Sequence, residues 1–226
     1  MNFHVLTLFP EMIIGGVNHS IVKRANDQNL ININCINIRD FSGNKHGKVD
    51  DYPYGGGTGL VMTPQPIYNA YMSLNLHKNT RVCYMSPKGR RFDQNFAKEL
   101  SRENELVILC GHYEGVDQRI IDTIVTDEIS IGDYILTGGE LAACVIIDAI
   151  TRILPGVLKK DATTNESFEN NLLEYPQYTR PASFLGLDVP EVLLNGHHKN
   201  IDDFRLQKSI EITKIIRPDL IKRSEK

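Results

Sequence analysis

At 226 residues the chain can hold one well-packed domain and a smaller one, and its 41% hydrophobic and 23% charged residues are ordinary for a globular protein. No apolar run reaches the ~20 residues that a membrane-crossing helix needs. The net charge of −3 argues against a general basic coat, but the charges are segregated: residues 77–102 carry seven Lys/Arg against two Asp/Glu, and residues 103–150 carry only Arg119 against ten acids. That pattern suits local docking of a polyanion, although charge alone is explained better by solvated helix faces.

Residues 3–8 alternate and are apolar enough for a buried first strand, which Pro10 stops. A helix is expected from Glu11 towards Ala25. The Asn/Ile alternation over 30–38 predicts a second strand. The segment FSGNKHGKVDDYPYGGGTG (41–59) has no periodicity, and loops that long in compact domains are commonly functional. Thr63 and Pro64 make a helix start, with Ile67, Ala70, Tyr71 and Leu74 on its inner face. A short strand over 81–85 should end in the turn SPKGRR, followed by a helix that turns Phe92, Phe96 and Leu100 inward. Residues 106–110 have the length of a buried strand. Ile120, Ile121, Ile124 and Val125 line the next helix, and 129–136 reads as a strand split by Gly132. Gly138 and Gly139 then open a helix over 140–154, ended by Pro155 and Gly156. The alternation predicts an α/β fold with a mostly parallel sheet and helices on both faces. From 159 to about 179 the chain is polar and aperiodic, as a linker would be. The remainder is expected to be mainly helical, with Asp202 capping a helix over 204–216 that Pro218 ends.

Several familiar motifs fail. The glycines at 55–59 have no following Lys, as a P-loop requires, and Leu60 stands where a dinucleotide fingerprint needs its third Gly. HExxH, clustered Cys/His and GxSxG patterns are absent, so hydrolase and metalloenzyme chemistry has little support and no metal ligands are assigned. Cys35, Cys83, Cys110 and Cys144 lack CxxC spacing, and three of them sit in apolar runs and read as buried thiols, which makes the cytoplasm the expected location. The opening MNFHVLTLFPEM has neither the basic segment nor the cleavage site of a signal peptide. What remains is three turns at the ends of predicted parallel strands, at 84–89, 110–115 and 131–139. Ligands sit beyond the carboxyl ends of such strands, and glycine lets backbone N–H and C=O groups come close to them.

The stretches LFPEM (8–12), RDF (39–41), VDDYPYGGGTG (49–59), the Ser-Pro turn at 86–89, CGHYEGVDQR (110–119), SIGDYILTGGEL (130–141), RILPGVL (152–158), LLEYPQYTRP (172–181) and VPEVLLNGHH (189–198) run in that order. Together they resemble the bacterial tRNA (guanine-N1)-methyltransferases of the SPOUT class. The resemblance implies a deep trefoil knot in an S-adenosyl-L-methionine-binding domain at 1–158. It further implies a linker at 159–178, a small helical tRNA-binding domain at 179–226, and a homodimer with its active site between subunits. It implies methyl transfer to N1 of guanosine 37 of tRNA, beside the anticodon. By the same match the cofactor crevice is Tyr84, Ser86, Pro87, Gly111, Tyr113, Glu114, Ile131, Gly132, Asp133, Tyr134, Ile135, Leu136, Gly138 and Gly139. Mg2+ is the one metal left open, with no dedicated site in the sequence.

Methylation at guanine N1 removes a proton that this nitrogen carries at neutral pH, so a carboxylate or His base is needed. Negative charge then grows on O6, for which an Arg is the natural partner. Arg152 holds the family's catalytic Arg position. Glu166 stands where the family has an Asp, on a linker one residue shorter; the two carboxyls have nearly equal reference pKa values. Should Glu166 not be the base, Asp161, Glu169 and Glu174 are the candidates. His112 stands where an Arg is common, which predicts a weaker phosphate contact. Asp50 matches a position near the target base, and Glu174 is grouped with the tRNA-facing residues. Arg24, Lys88, Arg90, Arg91, Lys159, Lys160, Lys208 and Lys214 are candidate phosphate contacts. Two alternatives stand beside this reading: a methyltransferase of the same class acting on another atom such as a ribose 2′-hydroxyl, and a non-catalytic RNA-binding relative.

Overall fold

The computed structural model describes residues 1–159 and 162–223. The chain divides into two compact units, Met1–Leu158 and Lys159–Lys226. The first is built on a five-stranded parallel sheet of β1 (Asn2–Thr7), β2 (Asn32–Asn37), β5 (Arg81–Arg91), β6 (Glu105–Cys110) and β7 (Asp127–Ser130), in the order β2-β1-β6-β5-β7. After Glu105 the central strand β6 is apolar because it is covered on both faces: Leu106, Val107, Ile108, Leu109 and Cys110 are all fully buried.

Strand alternation divides the core in two. Phe3, Val5, Leu106 and Ile108 face α1 (Pro10–Val17), α2 (Ser20–Asp27), α4 (Gln94–Leu100) and α6 (Glu140–Thr151). Leu6, Val82, Val107 and Leu109 face α3 (Pro64–Met72) and α5 (Gln118–Ile124). A two-stranded antiparallel hairpin, β3 (Asp50–Asp51) with β4 (Val61–Met62), carries the long glycine loop.

The structure corrects several expected boundaries. The helix expected over 11–25 is two helices, because the polar run Asn18–His19–Ser20 breaks it and Ser20 takes a φ of 49°. Strand β5 does not stop at residue 85. It shifts register after Met85 and pairs again through Arg90 and Arg91 with Ile129 and Ser130. Gly89 permits this crossing, since a Cβ there would lie 2.3 Å from the Glu128 carbonyl carbon and the Ile129 nitrogen. The strand expected over 129–136 is instead Asp127–Ser130; the Ser130 hydroxyl donates to the Gly132 carbonyl at 3.1 Å and turns the chain into a loop. Helix α6 ends at Thr151 rather than 154.

The second unit holds a short hairpin of β8 (Ser183–Phe184) and β9 (Leu187–Asp188), then α7 (His198–Ile216) and α8 (Pro218–Arg223). Helix α7 starts six residues before the expected 204, after the turn in which the Asn195 side chain accepts from the His197 amide, so Asp202 lies inside it and is not its cap. Pro218 ends α7 and also supplies the first residue of α8, where its missing N–H costs nothing.

Candidate functional site

The register break of β5 and the carboxyl ends of β6 and β7 open onto one cleft of about 360 Å³ in the first unit. Of the fourteen residues expected to hold a cofactor, thirteen line it; Asp133 is exposed on the 131–139 loop and is not part of the lining. The turns are joined by backbone. Gly139 N–H donates to Gly111 C=O at 3.0 Å, and His112 and Gly138 form an antiparallel bridge. Gly139 is required there: a Cβ would meet the Cys110 Cα at 2.8 Å and the Met85 Cβ at 3.0 Å.

Beneath the turns lies a polar cluster that the sequence reading did not single out. The carboxylate of Glu140, 1% exposed, accepts from the Thr7 hydroxyl at 2.6 Å and sits 2.7 Å from His112 Nε2. Thr7 Oγ1 in turn accepts from the Phe9 amide at 2.9 Å. Three separate chain segments are thereby locked together under the cleft floor. His112 is thus engaged inward with Glu140, in keeping with the weaker phosphate contact expected of it. The one available signal was an acid directly after a glycine pair and in the first turn of a helix, where the dipole favours it.

Tyr84 forms part of the wall. Burial raises its pKa, against the lowering influence of hydrogen bonding with the Val116 backbone, so the hydroxyl stays protonated at neutral pH. Tyr113, with a left-handed φ of 58°, stands at the mouth. Its pKa is raised first by partial burial and then by hydrogen bonding to Asp50, with Arg39 acting in the opposite sense. Asp50 is therefore brought to the cleft from the β3–β4 hairpin, which is itself tied down by hydrogen bonds from Glu114 N–H to Leu60 C=O and from Met62 N–H to Gly115 C=O, both 2.9 Å.

The cleft has the size and mixed lining of a small-molecule site. Its lining combines apolar walls (Ile129, Ile131, Leu136, Ala142) with glycine turns whose backbone edges are close at hand, and its volume is in the range of small-molecule sites. Among the described residues no three His, Cys, Asp or Glu side chains are grouped to hold a metal ion. The cysteines are unlike nucleophiles: burial pushes Cys35 to about 11 and Cys83 to about 12.

Arg152 caps the end of α6 in the first unit, its amide donating to Asp148 C=O at 3.1 Å. Glu166 is half-buried in the second unit and lines a separate hollow of about 320 Å³. Glu174 accepts from the Gln177 side chain at 2.6 Å. Of the expected phosphate contacts, Lys88 lies on the cleft rim and Arg24 is exposed. Arg90 is paired with Glu99 at 3.0 Å and packs its guanidinium 3.9 Å from the centre of the Phe96 ring. Lys208 is paired with Glu211 at 2.7 Å. Lys160 and Asp161 lie outside the described residues.

Known proteins match this sequence along nearly its whole length. The model of the family described as tRNA (Guanine-1)-methyltransferase TrmD matches residues 1–223. The chain belongs to that family. Proteins named tRNA (guanine-N(1)-)-methyltransferase are similar to it throughout. The one from Alkaliphilus metalliredigens is 59% identical, over 98% of this chain and 92% of its own. The Clostridioides difficile protein is 56% identical over 99% of both chains. The Caldicellulosiruptor saccharolyticus protein is 58% identical over 98% of this chain and 90% of its own. Family membership gives the cleft a context: it lies in the part of the chain that carries the glycine turns of the tRNA (guanine-1)-methyltransferases.

Proposed function

We propose that this protein transfers a methyl group from S-adenosyl-L-methionine to N1 of guanosine 37 of tRNA. The observation that carries the reading is the family match over residues 1–223, on a chain whose three glycine turns converge on one cleft. The relatives' names favour the base as target, so neither a ribose hydroxyl nor a purely binding role has an observation of its own.

When bound, the cofactor supplies a methyl group on a positively charged sulfur. Tyr84, Ser86, Gly111, Leu136 and Gly139 hold its nucleoside by backbone edges and apolar contact. Glu166 takes the N1 proton as the new bond forms, and Arg152 offsets the charge that grows on O6. The remaining task is alignment of the methyl group with the nitrogen lone pair. No step requires a metal to generate a nucleophile; Mg2+ would serve the RNA.

The reading includes a trefoil knot in the first unit, which follows from the family match alone. It also includes a homodimer in which one subunit's cleft meets the partner's Glu166. Two observations support that assembly. Arg152 and Glu166 belong to different compact units, and Met12, Ile14, Leu141 and Val145 leave large apolar side chains exposed on the contacting helices α1 and α6. Residues 179–226 would grip tRNA, in the cytoplasm. Incubation with labelled S-adenosyl-L-methionine and a tRNA transcript tests the reading, with the modified atom mapped by mass spectrometry. The expected product is 1-methylguanosine at position 37; label on a ribose, or none at all, overturns it.

A further inference from the structure

The loop between β3 and β4 ends in an aromatic tip that the fold does not use. Tyr54 is 99% exposed and Tyr52 80% exposed. Aromatic rings ordinarily contribute by burial, so two left in water at one loop tip call for a partner. The loop is rooted on the cleft: besides the bonds to Leu60 and Met62 described above, Thr63 N–H donates to Val49 C=O at 2.8 Å, and Asp50 meets Tyr113 at the mouth. The loop that carries the rings is therefore rooted at the cleft mouth. Nearby cations already have partners, Lys48 with Asp51 at 3.2 Å and Arg119 with Asp117 at 2.7 Å. The tip offers π faces rather than uncompensated charge.

We propose that Tyr52 and Tyr54 form a stacking platform for the unpaired nucleobases that flank the target guanosine. The inference rests on the RNA methyltransferase reading above. A base drawn out of a loop into a cleft leaves its neighbours without their stacking partner, and replacing that contact lowers the cost of extrusion. Tyrosine can do this for any neighbour, because every base has a π face. The platform positions RNA and touches no reacting atom.

The test uses the full-length protein and a stem-loop RNA carrying the target guanosine, with Tyr52→Ala, Tyr54→Ala, the double variant and the matching Phe variants. Each Ala change is expected to weaken RNA binding roughly tenfold to a hundredfold, and Phe should restore it. Cofactor affinity, melting temperature and the slope of log affinity against log salt should stay as in wild type, because no phosphate contact is lost. An RNA with abasic sites beside the guanosine should bind wild type as weakly as it binds the double variant. Ala variants that bind RNA like wild type sink the platform. So does a salt slope lowered by about one unit, or a changed oligomeric state in sedimentation, which would place the rings against a second copy. Wild-type protein that binds S-adenosyl-L-methionine yet methylates no guanosine would instead sink the methyltransferase reading.

Discussion

The two units of the chain are held by different means. In the first, a sheet whose central strand is buried on both faces carries three turns, and backbone hydrogen bonds together with the buried Thr7–Glu140–His112 cluster lock those turns into one cleft. In the second, Ser209, Thr213 and Leu220 are the only buried side chains among the described residues, and the stretch before α7 is mostly turns. The contrast teaches where rigidity is placed. The cleft is preformed because it stands on a packed sheet. Glu166 stands on a segment with little core of its own. Such thinly packed segments open at low free energy and are suited to ordering when a partner arrives.

The sharpest way to break this division is to remove chemistry without touching the fold. Glu166→Gln should lower turnover by about 10²- to 10⁴-fold, the usual worth of a positioned general base. Melting temperature and cofactor affinity, read by calorimetry, should not change; near-normal turnover would transfer the role to Asp161, Glu169 or Glu174. The opposite behaviour is expected of Gly139→Val. It should cost about 1–3 kcal/mol of stability by overpacking against Cys110 and Met85, and abolish cofactor binding together with activity. A variant that binds the cofactor normally would show that the turn can yield.

Glu140→Ala strands the buried Thr7 hydroxyl and the His112 ring. It should destabilise the first unit by about 1–3 kcal/mol in denaturant unfolding, with weaker cofactor binding as the turns part. A variant as stable as wild type would mean that the cluster is ornamental. Smaller still is a pH effect at the edge of the sheet. Burial tends to raise the Asp127 pKa, but hydrogen bonds from Arg81, at 3.0 Å from Nε, and from Thr126 outweigh it and leave the value below the ordinary one. Because the folded pKa is depressed, this stabilisation is complete above the unfolded value near ~3.9 and is lost as pH falls through the folded one. The stability gap between wild type and Asp127→Asn should therefore be constant at neutral pH and close in acid; a gap that widens in acid would reverse the sign. Least of all, breaking the exposed pair in the second unit with Lys208→Ala should change stability by no more than ~1 kcal/mol.

Much of this was legible in the residues. The apolar run of β6, the alternation in β1 and the spacing of Phe92, Phe96 and Leu100 mark buried faces by period alone, and the turns at 84–89, 110–115 and 131–139 stand out as glycine punctuation between them. What period cannot convey is contact between distant segments. The continuation of β5 past Met85 depends on Gly89 crossing Glu128 and Ile129, and the early end of β7 depends on Ser130 reaching Gly132. Arg90 looked like a phosphate contact because it lies in a basic run; in the fold its charge is spent on Glu99 and Phe96. The pairing of His112 with Glu140, 28 residues further on, has no local signature either.

The sequence by itself determined the α/β class, the order of the strands along the chain and the family, because these follow from local pattern and from long matched stretches. Only the tertiary structure decided that Gly139 must clamp onto Gly111, that Glu140 is the buried anchor of the turns, and that Tyr52 and Tyr54 are left in water beside the cleft. The physical reason is the same in each case: burial, hydrogen-bond partnership and exposure belong to pairs of segments far apart in the chain, and no single segment carries them.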